Sequence, residues 1–343
     1  MLASTVSSHE TTRSFPKVLE LHCLNGLNHV KKILFSYVLF HALFIIFFVL
    51  QITTLAILYF LGKAPAVFAI GIFSLVLSVF TYLVLIFYFQ AKKHDQFKLL
   101  KEWFLSVCKQ SIGEGLSVTD YHLCLAQALY TFAAMFHTKD LPSYLTSLPI
   151  PSFQRLMKKC GYLWHAKDFQ SIRKLLVLDC IYQHLSLLKY EPTNLEVHAS
   201  LANSYLTLAS VYQMMYRQEQ SHQTTTPQLS EKSLKNFQNA IYKAIEEYSI
   251  IYSSAPHDPW VLAQLASCYH ELGMYDQEIA HFEKILEITE PNLDIMLRLA
   301  YLYFQENHTA QGFKLYKLIK DMDEKKADDL FDYYISKAQE NSF

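Results

Sequence analysis

The chain is poor in the residues from which nucleotide and metal sites are usually built. Eight glycines and ten prolines in 343 residues leave little for phosphate-cradling loops, which disfavours P-loop and dinucleotide-binding folds. The six cysteines, Cys23, Cys108, Cys124, Cys160, Cys180 and Cys268, include no CxxC pair. Such spacing suits neither a zinc site nor a disulfide framework. It agrees with reducing surroundings and with thiols buried as small apolar groups. No excess of either charge exists: the formal net charge is −1 and the pI is near 6.9. Nucleic acid is therefore not an expected partner.

Catalytic signatures are missing as well. No GxSxG, HExxH or GxxxxGKS/T occurs. Cys268 with His270 and His122 with Cys124 stand two residues apart, so on a helix they point to different faces. Cys160 with His165 has no second pair at metal-ligand spacing. The acidic stretch 321–332 interleaves lysines and lacks the glycine of a calcium loop. The chain is expected to have no catalytic, cofactor or metal residues and not to be an enzyme.

What the sequence has is two long uncharged runs, 33–61 and 64–89, separated by Gly62 and Lys63. At about 1.5 Å per helical residue, each is long enough to cross a hydrocarbon core of about 30 Å. A connection so short forces the second helix to return beside the first, which predicts a transmembrane helical hairpin over 33–91. Arg13, Lys17, Lys31 and Lys32 precede it and Lys92, Lys93, Lys98 and Lys101 follow, against Lys63 in the turn. The positive-inside rule then predicts an integral membrane protein of two spans with both termini cytoplasmic. Gly71, Ser74, Ser78 and Thr81 form a small-residue face on the second span. That face can pack on the first span or on a second copy, which leaves a homo-oligomer open. His41 and Gln51 are polar residues in the first run, and a transport or channel role would rest on them.

Around the hairpin, the Ser- and Thr-rich residues 1–15 predict an unstructured leader. Residues 17–32 predict a short helix at the lipid surface. Residues 92–152 read as a helical stalk and connector, broken by Pro142, Pro149 and Pro151. From 153 to 343 the pattern is helical throughout, with helices near 153–164, 168–189, 195–217, 231–253, 259–272, 275–289, 292–306, 309–321 and 327–339. The last of these is expected to cap the array, and a polar loop is predicted over 218–228. The fold class is all-α.

Self-comparison supplies the architecture. At an offset of 34 residues, Leu265 falls on Leu299, Ala266 on Ala300, Tyr269 on Tyr303, Phe282 on Tyr316 and Ile285 on Ile319. Gly273 and Asn307 fall at the intervening turns, where a left-handed residue is needed. This pattern resembles the tetratricopeptide repeat family, most clearly over 259–292 and 293–326. A split unit precedes them, with Leu201, Ala202 and Tyr205 in its first helix and Ala244, Tyr248 and Ile251 in its second. Glu278 and Gly312 stand where the family usually has alanine, so looser interfaces are expected there.

The resemblance implies an α-solenoid of helix pairs that binds a segment of a protein partner in a groove lined by the first helices. Carried onto this chain, the groove positions are Asn203, Gln264, Ser267, His270, Arg298, Tyr301 and Phe304. Ala263 and Leu297 occupy the places of the lysines that clamp a terminal carboxylate in chaperone-binding members, so Arg298 with Tyr301 and Phe304 is expected to grip an acidic or aromatic segment instead. Tyr301 and Phe304 can equally be core residues. The hairpin behind a Ser/Thr-rich leader also resembles the inclusion-membrane proteins of obligate intracellular bacteria. The function expected is a membrane-anchored adaptor contacting membrane lipid and a protein partner. The alternatives are a secreted bacterial effector inserting its hairpin into a host-derived membrane, or a subunit of a membrane transport complex.

Overall fold

The structure is a computed structural model that describes residues 2–62, 65–112, 116–136, 151–221 and 227–340, with side chains placed over 17–62, 65–112, 116–136, 166–220 and 230–339. Eleven helices are present among the described residues, and no strand: α1 Leu2–Phe60, α2 Pro65–Ile112, α3 Val118–Met135, α4 Pro151–Leu188, α5 Leu195–Ser221, α6 Pro227–Ser254, α7 Pro259–Glu271, α8 Tyr275–Ile288, α9 Leu293–Gln305, α10 Thr309–Met322 and α11 Glu324–Glu340. The chain divides into two compact units, residues 1–183 and 184–343.

In the first unit, α1 and α2 are both long and apolar enough to cross a membrane. They run antiparallel because Gly62, at φ 60°, turns the chain where a Cβ would be strained. A Cβ on Gly71 would come within 2.4 Å of Leu55, so glycine is what lets the two helices approach there. Helix α1 is unbroken from Leu2, where the sequence predicts an unstructured leader and a separate surface helix. Extending a formed helix adds a hydrogen bond for each residue fixed, which is easier than starting one anew. Within 17–32 one apolar stripe is turned inward, while Val18, Leu21 and Leu24 stay exposed. Leu19, Cys23, Gly26 and Val30 are buried, and Phe97, Leu100, Phe104 and Cys108 form the matching buried stripe of α2.

Helix α3 closes this bundle. Its Phe132 stacks on Phe104 at 4.4 Å and sits where a Cβ on Gly26 would be, 2.6 Å from the ring. Ser117 caps α3 by accepting from the Asp120 amide. Helix α4 is continuous where the sequence suggests two helices, since nothing in His165, Ala166 or Lys167 stops one. It is tied to α2 by Lys93 to Asp168 at 2.6 Å and Lys101 to Asp179 at 2.9 Å. The Cys180 thiol donates to the Ala126 carbonyl of α3. Residues 166–183 thus belong to the first unit, whereas the sequence places its boundary at the prolines of 139–152. Of that segment, 139–150 lie outside the described residues.

The second unit is an array of antiparallel helix pairs, α5/α6, α7/α8 and α9/α10, followed by α11. Leu265, Leu299, Ala266, Ala300, Ile285 and Ile319 are all buried, as the 34-residue offset requires. Each of the leucines and isoleucines contributes about 1.5–3 kcal/mol of burial, and each alanine less. Equivalent positions carry equivalent local chemistry. Asp258 and Asn292 cap α7 and α9 through their side-chain oxygens, while Gly273 at φ 70° and Asn307 at φ 62° turn the chain out of these helices. The Met274 amide bonds the Tyr269 carbonyl at 2.9 Å and the His308 amide bonds the Tyr303 carbonyl at 2.7 Å, closing the two turns in the same way. Much of the predicted 218–228 loop is helical, because α5 runs on to Ser221 and α6 begins at Pro227; residues 222–226 lie outside the described residues.

Candidate functional site

The sequence-predicted groove residues all lie in the second unit, on α5, α7 and α9. The structure joins them in two patches. In the first, the buried Tyr248 hydroxyl of α6 lies 2.9 Å from Asn203 Oδ1 and 3.4 Å from Gln264 Oε1. The single phenolic hydrogen donates to Asn203 of α5 at the shorter distance, with the Gln264 amide of α7 beside it. Burial pushes the Tyr248 hydroxyl well above its usual range, so it remains a donor.

The second patch is centred on Glu278, which is 1% exposed. Arg298 donates to its Oε1 from Nε at 3.1 Å and from a terminal nitrogen at 2.8 Å. His270 Nδ1 lies 3.0 Å from Oε2 and 2.7 Å from the Arg298 guanidinium. One nitrogen cannot donate to the carboxylate and accept from the guanidinium at once, so a given tautomer makes one of these two bonds. Glu278 sets a buried carboxylate against a guanidinium from α9 and an imidazole from α7. The interface is thus filled by charged groups where a looser one is expected. Because Arg298 is paired, its charge is largely compensated on this surface.

Gly312 also departs from that expectation. A Cβ there would lie 2.5 Å from the Phe304 ring, so the missing side chain is occupied by that ring. Phe304 is 2% exposed and packs on Phe313 and Tyr334. It is a core residue and is removed from the groove. Tyr301 is half-buried, edge-on to Tyr333 of α11 at 4.9 Å. Ser267 is exposed on α7 between the two patches. The remaining surface carries two amides, a hydroxyl, an imidazole and part of a phenol. It is polar with little net charge, which differs from the acid-gripping site suggested by Arg298 alone.

Glu278 and Tyr248, the residues that organise both patches, are not among the predicted site residues. The available signal is a carboxylate at the repeat position that Gly312 occupies one offset later, with an arginine in the next helix pair. Cys268, next to this surface, is buried and its thiol is pushed up to about 12, by desolvation first and by Glu271 second. Such a thiol is a poor nucleophile. Among the described residues no group of three His, Cys, Asp or Glu side chains is placed to hold a metal ion.

In the hairpin, Gly71 and Ser78 lie on the α1 contact, and Gln51 donates to Ser78 at 2.9 Å and to Ser74 at 3.3 Å. Thr81 is exposed and bonds the Leu77 carbonyl of its own helix. His41 lies 3.0 Å from the Tyr82 hydroxyl. His41 and Gln51 thus both bond across the helix pair.

No protein-family model and no curated protein matches the chain. Among solved structures the chain is similar to a thermophilic TPR protein of Thermus thermophilus, with 17% identity over 73% of this chain and 93% of that one and a TM-score of 0.28.

Proposed function

We propose that the protein is a membrane-anchored, non-enzymatic interaction platform. Helices α1 and α2 hold it in a bilayer as a hairpin, and the lysines flanking the apolar runs keep both flanks on the cytoplasmic side. The face of α5, α7 and α9 then takes an extended segment of a protein partner. The observation that carries this reading is the linked pair of patches, Asn203/Tyr248/Gln264 and His270/Glu278/Arg298, on successive helix pairs. Fixed amides and an imidazole suit the backbone amides and polar side chains of an uncharged segment, while the compensated Arg298 gives little preference for acidic ones. Anchoring raises the effective concentration of the face toward partners in the same membrane.

The test is capture by the detergent-solubilised full chain, comparing the parent with Ser267→Arg and Gln264→Ala. Ser267 is exposed, so arginine there obstructs the face without disturbing the core. A partner held by the parent and lost by Ser267→Arg, with helical content unchanged, supports the reading. Equal capture by all three excludes this face. Arg298→Glu is unsuitable as a probe, since it sets a second carboxylate against Glu278.

A further inference from the structure

We propose that the first unit holds an anionic phospholipid of the adjacent leaflet in a groove beside α1 and α2, with its phosphate between Lys32 and Lys92. The proposal rests on the hairpin being membrane-embedded. A groove of about 420 Å³ is lined on α1 by His29, Lys32 and Ile33 and on α2 by Gln96, Leu99 and Trp103, among others. Lys32 immediately precedes the first apolar run and Lys92 follows the second by three residues. Both therefore stand at the edge of the hydrocarbon.

Helical register puts the two cations on the same side of the pair. Lys92, Gln96, Leu99 and Trp103 recur at four, three and four residues along one face of α2, and Lys92 lies over the Tyr88 ring on that face at 5.8 Å. On α1, Lys32 shares its face with Ser36, Leu43 and Phe47. Leu43 and Phe47 line a second groove of about 460 Å³ together with Leu77 and Thr81. From Lys32 to Phe47 is about 22 Å along the helix, at about 1.5 Å per residue. That is the reach from a lipid phosphate down an acyl chain.

Charge complementarity selects the occupant. Among the described residues no carboxylate bonds Lys32 or Lys92, in contrast to Lys93 and Lys101, which are paired with Asp168 and Asp179. The upper wall is the Trp103 indole, tilted at 43° to the His29 ring with ring centroids 4.3 Å apart. Trp and basic side chains at this depth are what an anionic headgroup meets at a membrane surface.

The experiment uses the full chain carrying Trp164→Phe and Trp260→Phe, which leaves Trp103 as the sole indole. Its emission is titrated with short-chain phosphatidylglycerol, short-chain phosphatidylcholine and inorganic phosphate. Co-flotation with phosphatidylcholine vesicles is measured separately. A saturable response favouring phosphatidylglycerol by at least about fivefold is expected, the effect of one cation at a charged surface. The preference should fall to parity in Lys32→Gln/Lys92→Gln and persist in Lys32→Arg/Lys92→Arg.

Equal response to both lipids, a preference that survives Lys32→Gln/Lys92→Gln, or an equal response to phosphate alone would overturn the lipid site while leaving the anchor intact. A response that follows protein concentration and accompanies a dimer would assign the groove to a second copy. Failure to float with vesicles removes the anchor, and the lipid site with it.

Discussion

Glu278 and Arg298 bond each other, yet their removal should not cost the same. Glu278 is 1% exposed and cannot regain water, whereas the Arg298 side chain is 41% exposed and can swing out. Arg298→Ala leaves a buried carboxylate with only His270 to donate to it. The expected loss is about 3 kcal/mol, the low end of what removing one partner of a buried pair costs. Glu278→Ala places a small residue there, as Gly312 does one offset later, and leaves a cation free to hydrate, for a loss of about 1 kcal/mol or less. The double variant should then be no worse than Arg298→Ala, with a coupling energy of about 2 kcal/mol. Hydrogen exchange of the α7 and α9 amides in the intact protein reads these local stabilities directly. Equal losses for the two single variants, or losses that simply add, would refute the view that the exposed arginine serves the buried acid.

Three further outcomes are expected. Gly312→Ala gains about 1 kcal/mol in helix propensity but drives a methyl into the Phe304 ring at 2.5 Å. Overpacking of about 1–3 kcal/mol should win, and urea unfolding should show recovery on adding Phe304→Leu. Burial without a compensating charge lowers the His184 imidazole from 6.5 to about 4. The unfolded chain therefore binds the extra proton first as the pH falls. Stability should be fully retained above about pH 6.5 and decline by about 3 kcal/mol toward pH 4, a slope that denaturant titration should find absent in His184→Gln. At Asn307, with φ 62°, thermal unfolding should rank Gly above Asn and Asn well above Val, because a β-branched side chain is strained in that conformation.

The repeat was legible because its determinants are local and recur. Leu265/Leu299, Ala266/Ala300 and the turns Gly273/Asn307 all obey one offset, so a single alignment reveals helix, turn and packing face together, and the structure adds the caps Asp258 and Asn292 at the same spacing. The organisation of the candidate face was not legible. Glu278 meets Arg298 only because successive helix pairs stack in a particular register, and twenty residues of separation carry no sign of it. Gly312 taken alone reads as a gap, and only the orientation of Phe304 shows it filled. Residues 17–32 were ambiguous for another reason. A narrow apolar stripe with flanking lysines fits a lipid surface and a helix partner equally well, and the Phe97–Leu100–Phe104–Cys108 stripe that covers it lies far along the chain.

The most direct test of a platform anchored by a hairpin is its sidedness. In a variant with the native cysteines replaced, single cysteines at Lys63, between the two apolar runs of the sequence, and at Ser267, on the candidate face, are exposed to a membrane-impermeant maleimide in sealed vesicles of known orientation. The account predicts that the two positions label from opposite sides of the membrane, with Ser267 on the cytoplasmic side. Labelling of both from the same side of intact vesicles would contradict it.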